Sequence, residues 1–176
     1  KPLLPKQSIQ LHCEFYSKLP HVYARTGFTE DDFFLVGQWF PKIGVWRDHR
    51  WNCHQFHSNT EFFADIGVYD LEISAPNNYI VGANAVLVKK QESDSVNVYT
   101  YHQEDVIDAV WTASPHFKEV KQKVKINSTE KEVEVTYLLS PGREGMAERY
   151  FKCAEAMFNY FENWYGQYPY PNLTIV

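Results

Sequence analysis

Tyr69-Asp70-Leu71-Glu72-Ile73-Ser74-Ala75-Pro76-Asn77-Asn78-Tyr79-Ile80-Val81 is the stretch that decides the fold. Tyr69, Leu71, Ile73 and Ala75 alternate with Asp70, Glu72 and Ser74, the period of two that belongs to a half-buried strand. Pro76-Asn77-Asn78 then turns the chain, because proline fixes φ and asparagine side chains bond their own backbone. A second apolar run, Ile80–Val88, follows. Val96–Tyr101 reads as its hairpin partner, with polar Lys89–Ser95 as the loop.

The same logic extends in both directions. After a proline-broken approach over Lys1–Lys6, Ile9, Leu11, Cys13 and Phe15 alternate with polar neighbours and predict a first strand. Phe33–Phe40 is apolar on both faces, as expected of a strand covered on both sides. Val45-Trp46 opens a short run with Arg47–Arg50 as a charged tip. Glu104–Val110 predicts one helical turn, and Trp111–Ser114 returns to strand. A last hairpin runs from Val120, Val124 and Ile126 through a turn at Asn127–Lys131 to Val133, Val135, Tyr137 and Leu139. Eight or nine strands in a β-sandwich or saddle-shaped sheet assembly follow from this count.

At Ser140-Pro141-Gly142 the period changes. Ala147, Tyr150, Phe151, Ala154, Met157, Phe158, Phe161 and Tyr165 recur at helical spacing, opposite Glu148, Lys152, Glu155, Asn159 and Glu162. One long amphipathic helix is expected, ended by Gly166, with Pro169 and Pro171 preventing a restart before the strand-like Leu173–Val176. Two domains are therefore expected, 1–140 and 141–176. The apolar face of Ala147–Tyr165 is expected to dock on the β-domain or to drive self-association with a second copy.

Composition narrows the function classes. With 44% apolar and 22% charged residues the chain can bury a core, and its net charge of -5 argues against a nucleic-acid footprint. No apolar run approaches a membrane span. Cys13, Cys53 and Cys153 form no CxxC pair and read as buried free thiols. The compartment stays open, membrane-associated or cytoplasmic.

Several residues invite chemistry. Cys53, His54 and His57 suggest a metal site, but residues three apart on a strand face opposite ways, and no H-E-x-x-H occurs in the chain. The expectation is no metal and no complete catalytic set here. Glu104, Asp105 and Asp108 could pair for acid–base work, against the simpler reading of acids in a helix's first turn. Asn127-Ser128-Thr129 and Asn172-Leu173-Thr174 match the glycosylation pattern.

Two stretches together resemble one family. Gly37-Gln38-Trp39-Phe40-Pro41-Lys42-Ile43-Gly44-Val45, leading to Trp51-Asn52-Cys53-His54-Gln55-Phe56-His57 and Glu61–Asp70, is similar to the N-terminal β-domain of the gluzincin zinc aminopeptidases. That family includes membrane alanyl aminopeptidase and leukotriene hydrolase. The helix Arg149–Gly166, followed by Tyr168-Pro169-Tyr170-Pro171-Asn172-Leu173-Thr174-Ile175-Val176, is similar to the first helix and strand of its thermolysin-like catalytic domain. The resemblance implies a parent that removes N-terminal residues from peptides, using zinc held by H-E-x-x-H and a further Glu, with a Gly-x-Met-Glu-Asn loop gripping the free amine. Both motifs would follow Leu173, so the chain is expected to be a non-catalytic, zinc-free front portion that caps the active site. A polar residue of the family's N-terminal domain borders the first side-chain pocket, and Gln38 takes that place by resemblance. The familiar Ala-Arg and Pro-Cys-x-Asp-Glu-Pro elements are absent. The aromatic share of 16% keeps open a different class, a stand-alone β-sandwich binding module for carbohydrate or protein partners.

Overall fold

The computed structural model describes residues 3–22, 25–55, 57–59, 61–126 and 131–176. The chain is mainly β, with several small sheets and one long helix near its end. The decisive stretch forms β5 (Gly67–Pro76), and its exposure alternates as the sequence predicts, with Tyr69, Leu71, Ile73 and Ala75 inward. It pairs antiparallel with β8 (Val96–Val106), and β8 pairs with β7 (Val86–Gln91), giving the order β5-β8-β7.

The apolar run 80–88 does not remain one strand. β6 (Ile80–Ala83) leaves for a second sheet, where it pairs with β9 (Trp111–Ser114), and only 86–91 keeps the expected hairpin with β8. Asn84 makes the switch. Its side chain donates to the Asp108 carbonyl at 2.9 Å and accepts from the Val110 N–H at 2.8 Å, replacing ladder bonds where the strand changes sheets. The second sheet has the order β1 (Gly27–Phe28), β2 (Phe34–Val36), β9, β6. Tyr99 and Tyr101 on β8 donate to the Tyr79 and Val81 carbonyls at 2.9 and 2.8 Å, which ties the two sheets together across a core of Ala75, Val81, Ala83 and Ala113.

Three expectations are corrected. The segment 9–16 is not a strand: it alternates in sequence, but no strand among the described residues pairs with it, and Ile9 and Leu11 are exposed. In 33–40 the strand stops at Val36, because Gln38 takes a left-handed φ of 55° that no strand admits. The segment 104–110 forms no helical turn. β8 continues to Val106, which sits opposite Gly67, before Asp105 (φ 58°) and the loop beyond redirect the chain.

β3 (Val45–Arg47) and β4 (Arg50–Asn52) form a hairpin around Asp48 and His49, both left-handed as a two-residue type I′ turn requires. Trp46 and Trp51 face each other across it at 5.1 Å and remain exposed. The last hairpin follows the predicted register: β10 (Lys118–Lys125) pairs with β11 (Glu132–Leu139), while the turn at 127–130 and its glycosylation pattern lie outside the described residues. α1 (Ala147–Tyr165) lays Phe151, Ala154 and Phe158 onto that hairpin. Burying a side chain the size of Phe158 contributes about 1.5–3 kcal/mol. This part of the helix face thus packs on β10 and β11. Gly166, at φ 91°, ends the helix and donates its N–H to Glu162 O at 3.0 Å. β12 (Asn172–Ile175) then returns parallel to β11, with Glu134 opposite Asn172 and Tyr137 opposite Ile175. Helix, β10, β11 and β12 share one core.

Candidate functional site

The chain just after β2, the end of β4 and residues 53–55, 57 and 61–63 line a cavity of ≈ 610 Å³. Gln38, Phe40 and Lys42 form one wall, Phe62 and Phe63 another, and Cys53, His54 and His57 approach from the hairpin's base. Gln38 stood out in the sequence by resemblance, and Cys53, His54 and His57 as one group; the fold brings all four to one recess.

Its wall is set by a buried ion pair. Lys42 Nζ lies 2.7 Å from Asp108 Oδ1, and the two side chains are 16% and 12% exposed. The same carboxylate accepts the Gln38 N–H at 3.3 Å and the Ala109 N–H at 2.9 Å, while Lys42 also donates to Ile107 O at 3.0 Å. Its ammonium sits 4.2 Å from the centre of the Phe62 ring, a cation–π distance. Trp39 Nε1–H donates to Ala109 O at 2.9 Å, and the Phe40 ring meets Tyr69 edge-on at 5.9 Å. Burial, then the nearby Asp108 charge, raises the Tyr69 hydroxyl pKa above its ordinary value. A non-glycine residue at positive φ costs about 1–3 kcal/mol, and at Gln38 the bond to Asp108 holds that conformation.

Gly44 lies close under the Cys53 side chain. A Cβ there would run into Cys53 Sγ, so the thiol of β4's continuation lies over the bare backbone. On the rim, Arg25 pairs with Glu61 at 2.7 Å. Their hydrogen bond lowers the Glu61 pKa and raises that of Arg25, but both side chains are exposed and the pair contributes little.

The three acids of 104–108 are not a catalytic pair. Glu104 is exposed beside His102 Nε2 at 3.6 Å, Asp105 offers its carbonyl to the Tyr170 hydroxyl at 2.8 Å, and Asp108 is committed to Lys42. The three cysteines are exposed, which corrects the expectation of buried thiols: Cys13 lies in an unpaired segment, Cys53 at a cavity mouth and Cys153 on the outer side of α1. Among the described residues no group of three or more His, Cys, Asp or Glu side chains is placed to hold a metal ion. Cys53, His54 and His57 share the recess without forming such a group. Asn172 of the second glycosylation pattern spends its amide on Ala85 O at 3.1 Å. No helix among the described residues is long and apolar enough to cross a membrane.

The pairing of Lys42 with Asp108 escaped sequence reasoning because the two residues lie far apart in the chain, and Asp108 stood out there only as one of three neighbouring acids. The recess offers aromatic walls, the amides of Gln38, Asn52 and Gln55 and two imidazoles, a combination suited to holding an apolar side chain flanked by hydrogen-bonding groups.

No protein-family profile matches the chain, and no curated protein matches it. Among solved structures it is similar to an M1 zinc metallopeptidase from Deinococcus radiodurans, at 15% identity and a TM-score of 0.47. It is also similar to a two-domain M1 zinc metallopeptidase mutant bound to L-arginine, at 15% identity and a TM-score of 0.46. Each match covers 63% of this chain and 26% of the other, so the chain spans about a quarter of those proteins.

Proposed function

We propose that the chain is the front, non-catalytic portion of a zinc-dependent aminopeptidase, and that the Gln38 recess borders the pocket for a peptide's first side chain. The observation that carries the reading is the conformation of Gln38. A strained, left-handed residue is pinned by a buried carboxylate at the edge of a cavity walled by Phe40, Phe62 and Phe63. Strain of this kind persists where the surroundings over-determine it, and it concentrates at binding sites. In this reading the β-domain (1–140) covers an active site supplied by residues beyond this chain, and 141–176 opens the catalytic domain. Zinc belongs to the parent and peptides are its substrates.

Aminoacyl-anilide hydrolysis is the test. The 176-residue chain alone is inactive with or without zinc, and zinc-dependent turnover by it would refute the reading. In the parent, a chelator abolishes activity and Gln38→Ala changes the ratio of kcat/KM between first-residue side chains about tenfold or more; a uniform loss rejects the pocket role.

A second reading, a free-standing module for carbohydrate or protein partners, draws on the exposed Trp46–Trp51 pair, at 55% and 59% exposure. An H-E-x-x-H encoded within about a hundred residues after Val176 decides for the peptidase, because that spacing sets two zinc ligands and a general base on one helix face.

A further inference from the structure

The Gln38 recess carries charge, but its charges already have partners. Among the described residues that line it, Lys42 is bound to Asp108 and Arg25 to Glu61, each at 2.7 Å. Neither of these cations is left without a carboxylate. The aromatic walls face cations too. Lys42 Nζ stands 5.3 Å from the Phe40 ring centre and 4.2 Å from that of Phe62. The Arg47 guanidinium lies 5.3 Å from the centre of Phe63. A cationic side chain entering the recess meets rings that already hold a like charge, and an acidic one meets Lys42 and Arg25 already paired.

What remains open to a ligand is apolar surface and neutral amides. Phe62 and Phe63 line the recess while 38% and 45% exposed, so much of each ring still faces water. The side-chain amides of Gln38, Asn52 and Gln55 make no hydrogen bond among the described residues. Each amide oxygen can accept from a phenol O–H or an indole N–H, and each NH2 can donate to a phenol oxygen. A ring with a polar edge therefore uses both the walls and the amides, whereas an aliphatic side chain uses the walls alone. The cavity volume lies within the usual range for small-ligand sites.

We propose that the recess selects an uncharged aromatic side chain with a polar edge, tyrosine or tryptophan, over charged and aliphatic ones. That this side chain belongs to a peptide's first residue rests on the proposed function; the selectivity itself comes from residues of this chain. Phe63 supplies stacking surface, and Glu61 keeps Arg25 from attracting acids.

NMR titration of the 176-residue chain with the amides of N-acetyl-tyrosine, -tryptophan, -leucine, -arginine and -glutamate provides the test. The tyrosine and tryptophan probes are expected to shift the Gln38 and Asn52 side-chain signals saturably, with Kd about tenfold below those of the other three. Phe63→Ala weakens both aromatic probes about fivefold or more. If Phe63→Ala does not fold, Glu61→Gln on the exposed rim replaces it, and the freed Arg25 tightens the glutamate probe about two- to fivefold. No saturable shift, equal or tighter binding of the leucine, arginine or glutamate probe, or an unmoved Kd in the folded variant overturns the proposal. None of these readouts needs the parent's activity. Selective binding by the chain beside a parent without peptidase activity would sink the proposed function and leave this inference standing.

Discussion

Replacing Asp108 by alanine removes the one carboxylate that serves Lys42, Gln38 and Ala109 together. Lys42 Nζ loses a partner at 2.7 Å in surroundings where it is 16% exposed, keeping the Ile107 carbonyl and the Phe62 ring, and two main-chain N–H groups lose their acceptor. Breaking a buried pair from one side costs about 3–5 kcal/mol, because the remaining charge stays buried. At about 2–4 °C per kcal/mol for a chain of this size, Tm falls by roughly 6–20 °C. Urea unfolding measures it as a lower midpoint with an unchanged m-value. The double variant Lys42→Met/Asp108→Leu is expected to cost less than Asp108→Ala alone, since it removes both charges and leaves none uncompensated. A single substitution costing under about 1 kcal/mol, or a double as costly as the sum of the singles, would show that the pair does not hold the cavity wall.

Other expectations rest on separate features. Phe158→Ala, at 2% exposure under β10 and β11, costs about 3–5 kcal/mol in the same urea experiment, mostly as a cavity. At Gly82 a Cβ would meet Leu138 Cδ1 at 2.5 Å and Thr174 Cγ2 at 3.3 Å, so Gly82→Ala costs about 1–3 kcal/mol through overpacking and loosens the approach of β6 to β11 and β12. The hydrogen bond that His102 Nδ1 donates to Asp70 Oδ1 at 2.7 Å raises the His102 pKa above the ordinary 6.5. A raised folded-state pKa means that this pair's support is complete below 6.5 and fades as pH climbs through the folded value. NMR titration of His102 in wild type and Asp70→Asn checks it: the variant's imidazole titrates lower, and an unchanged value contradicts the pairing.

The parts of the fold legible in the sequence are those whose signal is local. β5 and the β10–β11 hairpin announce themselves by alternation, and α1 by its stripe, because each buries one face against the rest of the chain. Residues 9–16 carry the same alternation and form no strand, since a strand also needs a neighbour to bond, which period alone does not supply. The break at Asn84 was invisible for a related reason: its partners, Asp108 and Val110, lie more than twenty residues away. At the candidate site, the sequence singled out Gln38, Cys53, His54 and His57 by residue type. It could not show the Lys42–Asp108 pair that shapes their recess, because two ordinary charged residues acquire meaning only when burial couples them.

The parallel return of β12 onto β11 has a consequence for the order of assembly. β10 and β11 meet across a short turn, a cheap closure, whereas Glu134 meets Asn172 only after α1 has formed and crossed the sheet. The strand thus arrives late, and its arrival depends on helix packing through Phe151 and Phe158. Substitutions in β12 are therefore expected to speed unfolding while leaving the folding rate nearly unchanged, whereas those in the β10–β11 hairpin slow folding. The strand that joins this core last is then also expected to be the one whose release opens it first.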